Sequence, residues 1–137
     1  MYLILKTEAL MQMEGPRVLC DTHAKVANAL AQLSCLNEIT CDCEGVDLSR
    51  TGPVTLLQLS GTQPTPSGCL PQVFLFDVLA LGPGIFDIDP TEGNGHTLKG
   101  LLEHPSYLKI TFDCRSDSDA LYHQFGVVLR NVLDVQV

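Results

Sequence analysis

The chain has 137 residues, of which 45% are hydrophobic, and its formal net charge is −8. This length suits one domain or part of one, with enough apolar residues for a buried core. Only eight residues are Lys or Arg, which argues against a protein that coats duplex nucleic acid through a basic surface. The apolar runs are far shorter than the roughly 20 residues of a membrane-spanning helix, so we expect no membrane partner.

The six cysteines show no metal-binding spacing. They form no C-x-x-C pair and no zinc pattern with the four histidines. The N-terminus has no basic region ahead of its apolar run, so no signal peptide is predicted. Free thiols in a reducing compartment are the favoured interpretation, and we expect an intracellular protein of the cytoplasm or nucleus.

The first part of the chain predicts an extension followed by a helix. Residues 1–16 are ambiguous between helix and strand, and they are predicted to form an N-terminal extension ahead of a domain over residues 17–137. The pair Asp21-Thr22 offers an N-cap for an amphipathic helix over residues 23–34.

Three strand candidates follow the helix, and short polar segments connect them. They cover residues 39–45, 54–60 and 72–78, with predicted loops over 45–53 and 61–71. Neighbouring strands with short connections pair antiparallel, so these three form a meander. Leu79, just after the third strand, is expected in the core.

The remaining elements alternate, in the order helix 98–104 capped by Thr97, strand 108–112, helix 116–125 and strand 127–137. An antiparallel meander followed by alternating helices and strands indicates a mixed sheet with helices on its faces. The sequence therefore predicts the α/β class.

Strand 39–45 carries two acids, Asp42 and Glu44, with one residue between them. Side chains alternate along a strand, so these carboxylates point to one face, while Cys41 and Cys43 point to the other. Two carboxylates on a buried face repel each other and are costly to desolvate, and a divalent cation such as Mg²⁺ would remove both costs. The alternative is an edge strand whose two acids are solvated.

A second acidic cluster supports a functional interpretation of the D-x-E pair. The stretch F-D-C-R-S-D-S-D-A-L covers residues 112–121, at the start of a helix after a strand. Together with D-C-E-G-V-D-L-S-R-T-G-P-V-T-L-L-Q-L at 42–59 and L-K-G-L-L-E-H at 98–104, it resembles the RNase D-like branch of the DEDD 3′–5′ exonuclease superfamily. The exonuclease 3′–5′ domain-containing and Egalitarian-type members look most similar. The resemblance covers nearly all of the chain from Thr22 onward.

The resemblance implies an RNase H-like fold, which is a mixed five-stranded sheet with helices on both faces. It also implies a site for two metal ions, Mg²⁺ or Mn²⁺, held by Asp42, Glu44 and Asp117. In that assignment Asp42 bridges the ions, and Glu44 also orients the attacking water. Asp119 is the alternative to Asp117 within the second motif, while Asp113 is expected to be structural.

The activity implied by the resemblance is hydrolysis of single-stranded nucleic acid from its 3′ end, with RNA expected ahead of DNA. One ion activates a water for in-line attack on the terminal phosphodiester, and the other stabilises the leaving 3′-oxygen. Val46 and Leu48 are expected to line the rim beside the nucleotide. Arg50 and Arg115 are either phosphate contacts or members of surface ion pairs, and Lys109 is expected to be solvated.

The family pattern includes a third motif, Tyr-x-x-x-Asp or His-x-x-x-x-Asp, on a later helix. The chain ends at D-V-Q-V, where relatives continue into that helix. We therefore expect the C-terminal helices of the fold to be missing, and the chain alone to be a weak or inactive enzyme. We also expect the uncovered sheet face to favour self-association.

Two competing hypotheses remain at this point. A non-catalytic adaptor would keep the exonuclease fold and bind nucleic acid or a protein partner without cleaving. A generic acidic α/β domain would carry the D-x-E acids as a solvated pair on an edge strand.

Overall fold

A computed structural model describes residues 16–136, apart from the side chains at positions 63, 64, 69 and 70. The predicted N-terminal extension thus lies outside the described residues except for Pro16. Within the range 16–136, no helix is long and apolar enough to cross a membrane.

Over residues 16–136, the architecture is one mixed sheet of six strands, packed against helices. The strands are β1 (Arg17–Cys20), β2 (Glu38–Gly45), β3 (Val54–Thr65), β4 (Gly68–Asp77), β5 (Leu108–Thr111) and β6 (Val132–Asp134). The helices are α1 (His23–Leu33), α2 (Val78–Leu81), α3 (Leu98–Glu103) and α4 (Arg115–Phe125), with 3₁₀ turns at Pro83–Asp87 and Thr91–Gly93. The α/β class is confirmed.

The strands lie in the order β1-β4-β3-β2-β5-β6. The middle of the sheet is the predicted meander, because β2–β3 and β3–β4 pair antiparallel. The other three strands join parallel, with β1 on β4, β5 on β2 and β6 on β5. The sheet has one strand more than the five that the resemblance implied, since the short apolar run Arg17–Cys20 also pairs with it.

Local capping signals set the helix boundaries. The Thr22 hydroxyl accepts a hydrogen bond from the Lys25 amide at 3.2 Å, and the Thr97 hydroxyl accepts one from Gly100 at 3.0 Å. These are N-caps of the predicted kind. Helix α4 ends at Gly126, whose φ of 68° is the left-handed conformation that glycine adopts without steric cost.

Two segments differ from the prediction. The loop expected over 61–71 is a hairpin, because β3 and β4 stay paired as far as Thr65 and Gly68. The Thr65 hydroxyl donates to the Gly68 carbonyl at 3.0 Å and helps close the tight turn. At the other end of the chain, the predicted strand 127–137 is reduced to Val132–Asp134.

The two faces of the sheet are covered differently. One face carries Leu57, Leu59 and Phe76, which form a single buried cluster with apolar side chains of α1, α3 and α4. The opposite face is partly open, because Leu19 on β1 and Leu133 on β6 are 46% and 49% exposed. The expected self-association through an uncovered face stays a prediction.

Two residues lie where the sequence did not predict them. Leu79, expected in the core, is exposed, because the first turn of α2 directs it to the surface. Lys109, expected to be solvated, is fully buried on β5. Its ammonium donates to the carbonyl of Leu101 in α3 and to those of His104 and Tyr107, which follow the helix. Burial lowers the pKa of Lys109.

Candidate active site

Strand β2 places Asp42 and Glu44 on one face, as predicted from their spacing. Asp42 is only 2% exposed, and Glu44 is half-buried. Cys41 and Cys43 point the other way into the apolar core. Both are free thiols. The predicted alternation along this strand is confirmed, because Cys41 and Cys43 belong to the apolar core cluster and the two acids do not.

Asp117 approaches β2 from the first turn of α4. The last residue pair between β2 and β5 is Thr40 with Ile110. Beyond that point the amide of Cys43 donates to Asp117 Oδ2 at 3.3 Å. Because Cys43 lies between Asp42 and Glu44 in the chain, this contact brings the carboxylate of Asp117 to the D-x-E segment. Asp117 is also 2% exposed.

Asp119, the alternative ligand of the second motif, lies apart from these acids. Its side chain is 51% exposed and pairs with Arg50 at 3.6 Å and with His123 at 3.9 Å. Arg115 pairs with Asp113 at 2.8 Å. Both arginines that sequence analysis considered as phosphate contacts thus take part in surface ion pairs.

The donor set of this cluster fits a hard divalent cation. Asp42, Glu44 and Asp117 offer only carboxylate oxygens, the ligands that Mg²⁺ and Mn²⁺ prefer. Two of the three are buried, and a cation would offset the cost of keeping them ionised. Among residues 16–136, however, no three His, Cys, Asp or Glu side chains are arranged to hold an ion as they stand.

The turn over residues 46–53 follows the acids directly. The Val46 amide donates to the Pro53 carbonyl at 3.1 Å and closes the turn. Gly52 is required inside it, since a Cβ at that position would lie 1.8 Å from the Asp47 carbonyl oxygen. Val46 is 61% exposed, and Leu48 is partly buried against the core. Of the two predicted rim residues, Val46 is the one displayed to solvent.

Asp134 has a role that the sequence pattern did not reveal. Its carboxylate, at the end of β6, accepts hydrogen bonds from the amides of Asp113 at 2.7 Å and Cys114 at 3.0 Å. Hydrogen bonds from the Cys114 and Gln136 amides lower the pKa of Asp134. Asp134 therefore holds the segment that leads into α4 and Asp117.

Gln124 was also missed. Its side-chain amide contacts Ser49, Gly52 and Val54, in the turn and at the start of β3. The signal was weak, because a glutamine on an amphipathic helix is indistinguishable in sequence from a solvated one.

Comparison with known proteins identifies the family. A family model described as 3′–5′ exonuclease matches residues 18–137. The piRNA biogenesis protein EXD1 of Homo sapiens is 34% identical over 120 residues, covering 88% of this chain and 20% of that protein. The Xenopus laevis protein of the same name is 35% identical over 109 residues, covering 80% of this chain and 21% of that protein. The chain spans about a fifth of the length of these curated relatives.

Solved structures give the same result. Trypanosoma brucei RNase D in complex with RNA U12 superposes with a TM-score of 0.73 at 32% identity, covering 96% of this chain and 41% of that one. The EXD2 exonuclease domain has a TM-score of 0.59 at 25% identity, covering 88% of this chain and 57% of that one. The fold is thus RNase H-like, as expected. The chain belongs to the DEDD 3′–5′ exonucleases, in their RNase D-like branch.

Proposed function

We propose that residues 17–137 contribute the acid-bearing part of a domain that hydrolyses single-stranded nucleic acid from the 3′ end, with residues 1–16 as an N-terminal extension. The observation that carries the proposal is the hydrogen bond between Cys43 and Asp117, which brings an acid of the second motif to the D-x-E acids. Family membership supports a nuclease. The solved complex of Trypanosoma brucei RNase D with RNA favours RNA over DNA as the substrate.

Asp42, Glu44 and Asp117 would hold two Mg²⁺ or Mn²⁺ ions. When bound, such ions activate a water and stabilise the charge that develops on the leaving 3′-oxygen. Glu44 is half-buried, so its carboxylate has room to accept a hydrogen bond from the attacking water. Asp42 and Asp117 are shielded from solvent, which strengthens their attraction for a cation.

Val46 and Leu48 would contact the terminal nucleotide. Val46 is exposed two residues after Glu44, on a turn closed by its own backbone hydrogen bond to Pro53. An apolar side chain fixed at this point can pack against a base or sugar without selecting a sequence. The substrate would thus be held beside the three acids.

We also infer an intracellular location for the protein, in the cytoplasm or nucleus.

A second candidate is an adaptor that keeps the fold and binds nucleic acid or a protein without cleavage. One observation favours it. In the described part of the chain, no three potential ligands form a ready metal cluster. The adaptor hypothesis predicts binding of single-stranded RNA that is indifferent to divalent metal ions.

The deciding experiment is degradation of 5′-labelled single-stranded RNA with Mn²⁺, by the wild-type chain and by Asp42→Asn. A ladder that shortens from the 3′ end and disappears in Asp42→Asn would support the nuclease. Asp89→Asn removes the same charge from an exposed loop residue and should leave the ladder unchanged. No cleavage by the wild-type chain, together with metal-independent RNA binding, would favour the adaptor.

A further inference from the structure

Gln124 makes three hydrogen bonds to the backbone of the segment that follows the D-x-E strand. Its Nε2 donates to the carbonyl oxygens of Ser49 at 2.9 Å and Gly52 at 2.7 Å. Its Oε1 accepts from the Val54 amide at 3.2 Å. One side chain thereby binds the middle and the end of the turn over residues 46–53 and the first amide of β3.

Gln124 and Asp117 share one side of α4. They are seven residues apart, which is about two helical turns and about 10.5 Å along the axis. Asp117 binds the amide of Cys43 on β2, and Gln124 binds the turn that β2 leads into. One helix therefore sets the position of both the acid cluster and the turn that displays Val46.

Among the described residues, an ion pair also links the turn to α4, and it is much weaker. Arg50 faces Asp119 at 3.6 Å, and both side chains are more than half exposed. Exposed ion pairs of this kind contribute little to stability. The turn also contains Asp47 at a positive φ of 48°, a conformation that surrounding contacts must hold in place for a non-glycine residue. Beside the apolar packing of Leu48 on the core, the hydrogen bonds of Gln124 thus fix the backbone of the turn against the helix.

We propose that Gln124 is a positioning residue for substrate, which holds the turn over residues 46–53 at a fixed place relative to Asp117. The inference rests on the proposed function, because it assigns Val46 and its neighbours to the terminal nucleotide. Gln124 itself does not touch the reacting atoms. Its loss lets the turn move while the three acids stay on β2 and α4.

Steady-state cleavage of single-stranded RNA by Gln124→Leu tests the inference. Leucine is similar in size but makes none of the three hydrogen bonds, so KM should rise about tenfold while kcat stays within about twofold. A merely structural role gives the opposite pattern. It lowers the folded fraction and so reduces the apparent kcat, while KM is unchanged. That opposite pattern would overturn the inference.

A second variant at position 124 and a control variant on another helix complete the test. Gln124→Glu keeps the acceptor for Val54 but cannot donate to Ser49 and Gly52, so KM should rise in this variant as well. Gln32→Leu makes the same change on α1, a helix that packs on β1, and should leave KM and kcat unchanged. An equal KM effect in Gln32→Leu would show that the change reflects general destabilisation.

Failure of the inference can be separated from failure of the proposed function. If the wild-type chain does not cleave RNA, the affinity for a single-stranded oligonucleotide in Ca²⁺ replaces KM as the measured quantity. Hydrogen exchange at the amides of residues 46–52 and of Val54 gives a readout that needs no activity. Faster exchange there in Gln124→Leu, with other segments unchanged, supports the proposal that Gln124 holds the turn in place. Unchanged exchange in that segment would refute it, whatever the enzyme does.

Discussion

Asp117 on helix α4 accepts a hydrogen bond from the backbone amide of Cys43 on strand β2 across 3.3 Å, although 74 residues separate them in the chain. The amide belongs to the residue between Asp42 and Glu44. One backbone contact therefore joins the two acidic motifs, and it does so where β5 no longer pairs with β2. Because β5 ends at Thr111 while β2 continues to Gly45, the start of α4 can present an acid beside the last residues of β2.

Asp117→Asn should abolish metal binding without unfolding the protein. Asparagine has the same size and can still accept from the Cys43 amide, but it carries no charge. Loss of one anionic ligand from a metal site removes several kcal/mol of charge stabilisation, so cleavage should fall about 10³-fold. Calorimetric titration with Mn²⁺ measures the affinity, and circular dichroism checks the fold.

Asp119→Asn is the matched control for this variant. Asp119 lies two residues further along α4, but its side chain is half exposed and faces Arg50. Its substitution should leave Mn²⁺ affinity and cleavage near the wild-type values. If Asp119→Asn lost metal binding and Asp117→Asn did not, the ligand assignment would pass to Asp119.

Asp42→Asn should stabilise the metal-free protein. Asp42 and Asp117 are both 2% exposed, and neutralising one of two buried carboxylates relieves repulsion and desolvation. We expect a gain of about 1 kcal/mol, or a rise in Tm of about 3 °C for a domain of this size. Scanning fluorimetry with a chelator present measures it.

The same variant should no longer be stabilised by Mn²⁺. A ligand that binds the folded state raises the free energy of unfolding by mass action, so the wild-type Tm should climb with Mn²⁺ concentration. In Asp42→Asn that climb should be lost. A lower Tm for Asp42→Asn than for wild type in chelator would argue against a metal-binding role for this residue.

Features encoded by neighbouring residues could be predicted from the sequence. The alternation that separates Asp42 from Cys41 and Cys43 is a property of any strand. The N-caps at Thr22 and Thr97 depend on hydroxyls three residues from their donors. The antiparallel meander followed from short connections between apolar runs.

Features that depend on distant partners could not be predicted. The segment 61–71 was missed for a different, local reason: its prolines and glycines favour a loop, yet its two halves pair with each other as a continuation of β3 and β4. Lys109 is buried because three carbonyls, one in α3 and two in the segment that follows it, accept hydrogen bonds from its ammonium. Gln124 makes its three hydrogen bonds only because the turn over residues 46–53 folds back against α4.

Asp134→Ala should loosen the start of α4. The variant loses the acceptor for the Asp113 and Cys114 amides, an arrangement similar to a helix N-cap, so it should cost about 1 kcal/mol at neutral pH. Urea unfolding followed by circular dichroism measures this difference. Asp134→Asn, which keeps one acceptor oxygen, should fall between wild type and alanine.

The cost of Asp134→Ala should depend on pH. Hydrogen bonds from backbone amides, that of Cys114 foremost, hold the pKa of this carboxyl below its ordinary value of 3.8. The folded state therefore favours the ionised form, and its contribution is complete above the ordinary pKa. It disappears as the pH falls through the lower folded value. A difference between wild type and Asp134→Ala that grew on acidification would contradict this account.

Lys109→Met should be among the most destabilising single substitutions in the sheet. Methionine fills much of the same volume but leaves the carbonyls of Leu101, His104 and Tyr107 without the ammonium that satisfies them. Since Lys109 is fully buried, water cannot easily take its place, and the cost should be about 2–4 kcal/mol in the free energy of unfolding. Urea unfolding at neutral pH provides the measurement.

Lys99→Met supplies the comparison for that substitution. Lys99 also donates to a carbonyl, that of Gly126 at 2.8 Å, and pairs with Glu103, but its side chain is 39% exposed. Solvent can hydrate the groups it leaves behind, so its loss should cost at most about 1 kcal/mol. Equal losses in the two variants would mean that burial of the Lys109 ammonium adds nothing to the stability of the fold, and that its three hydrogen bonds are no stronger than those of a surface lysine.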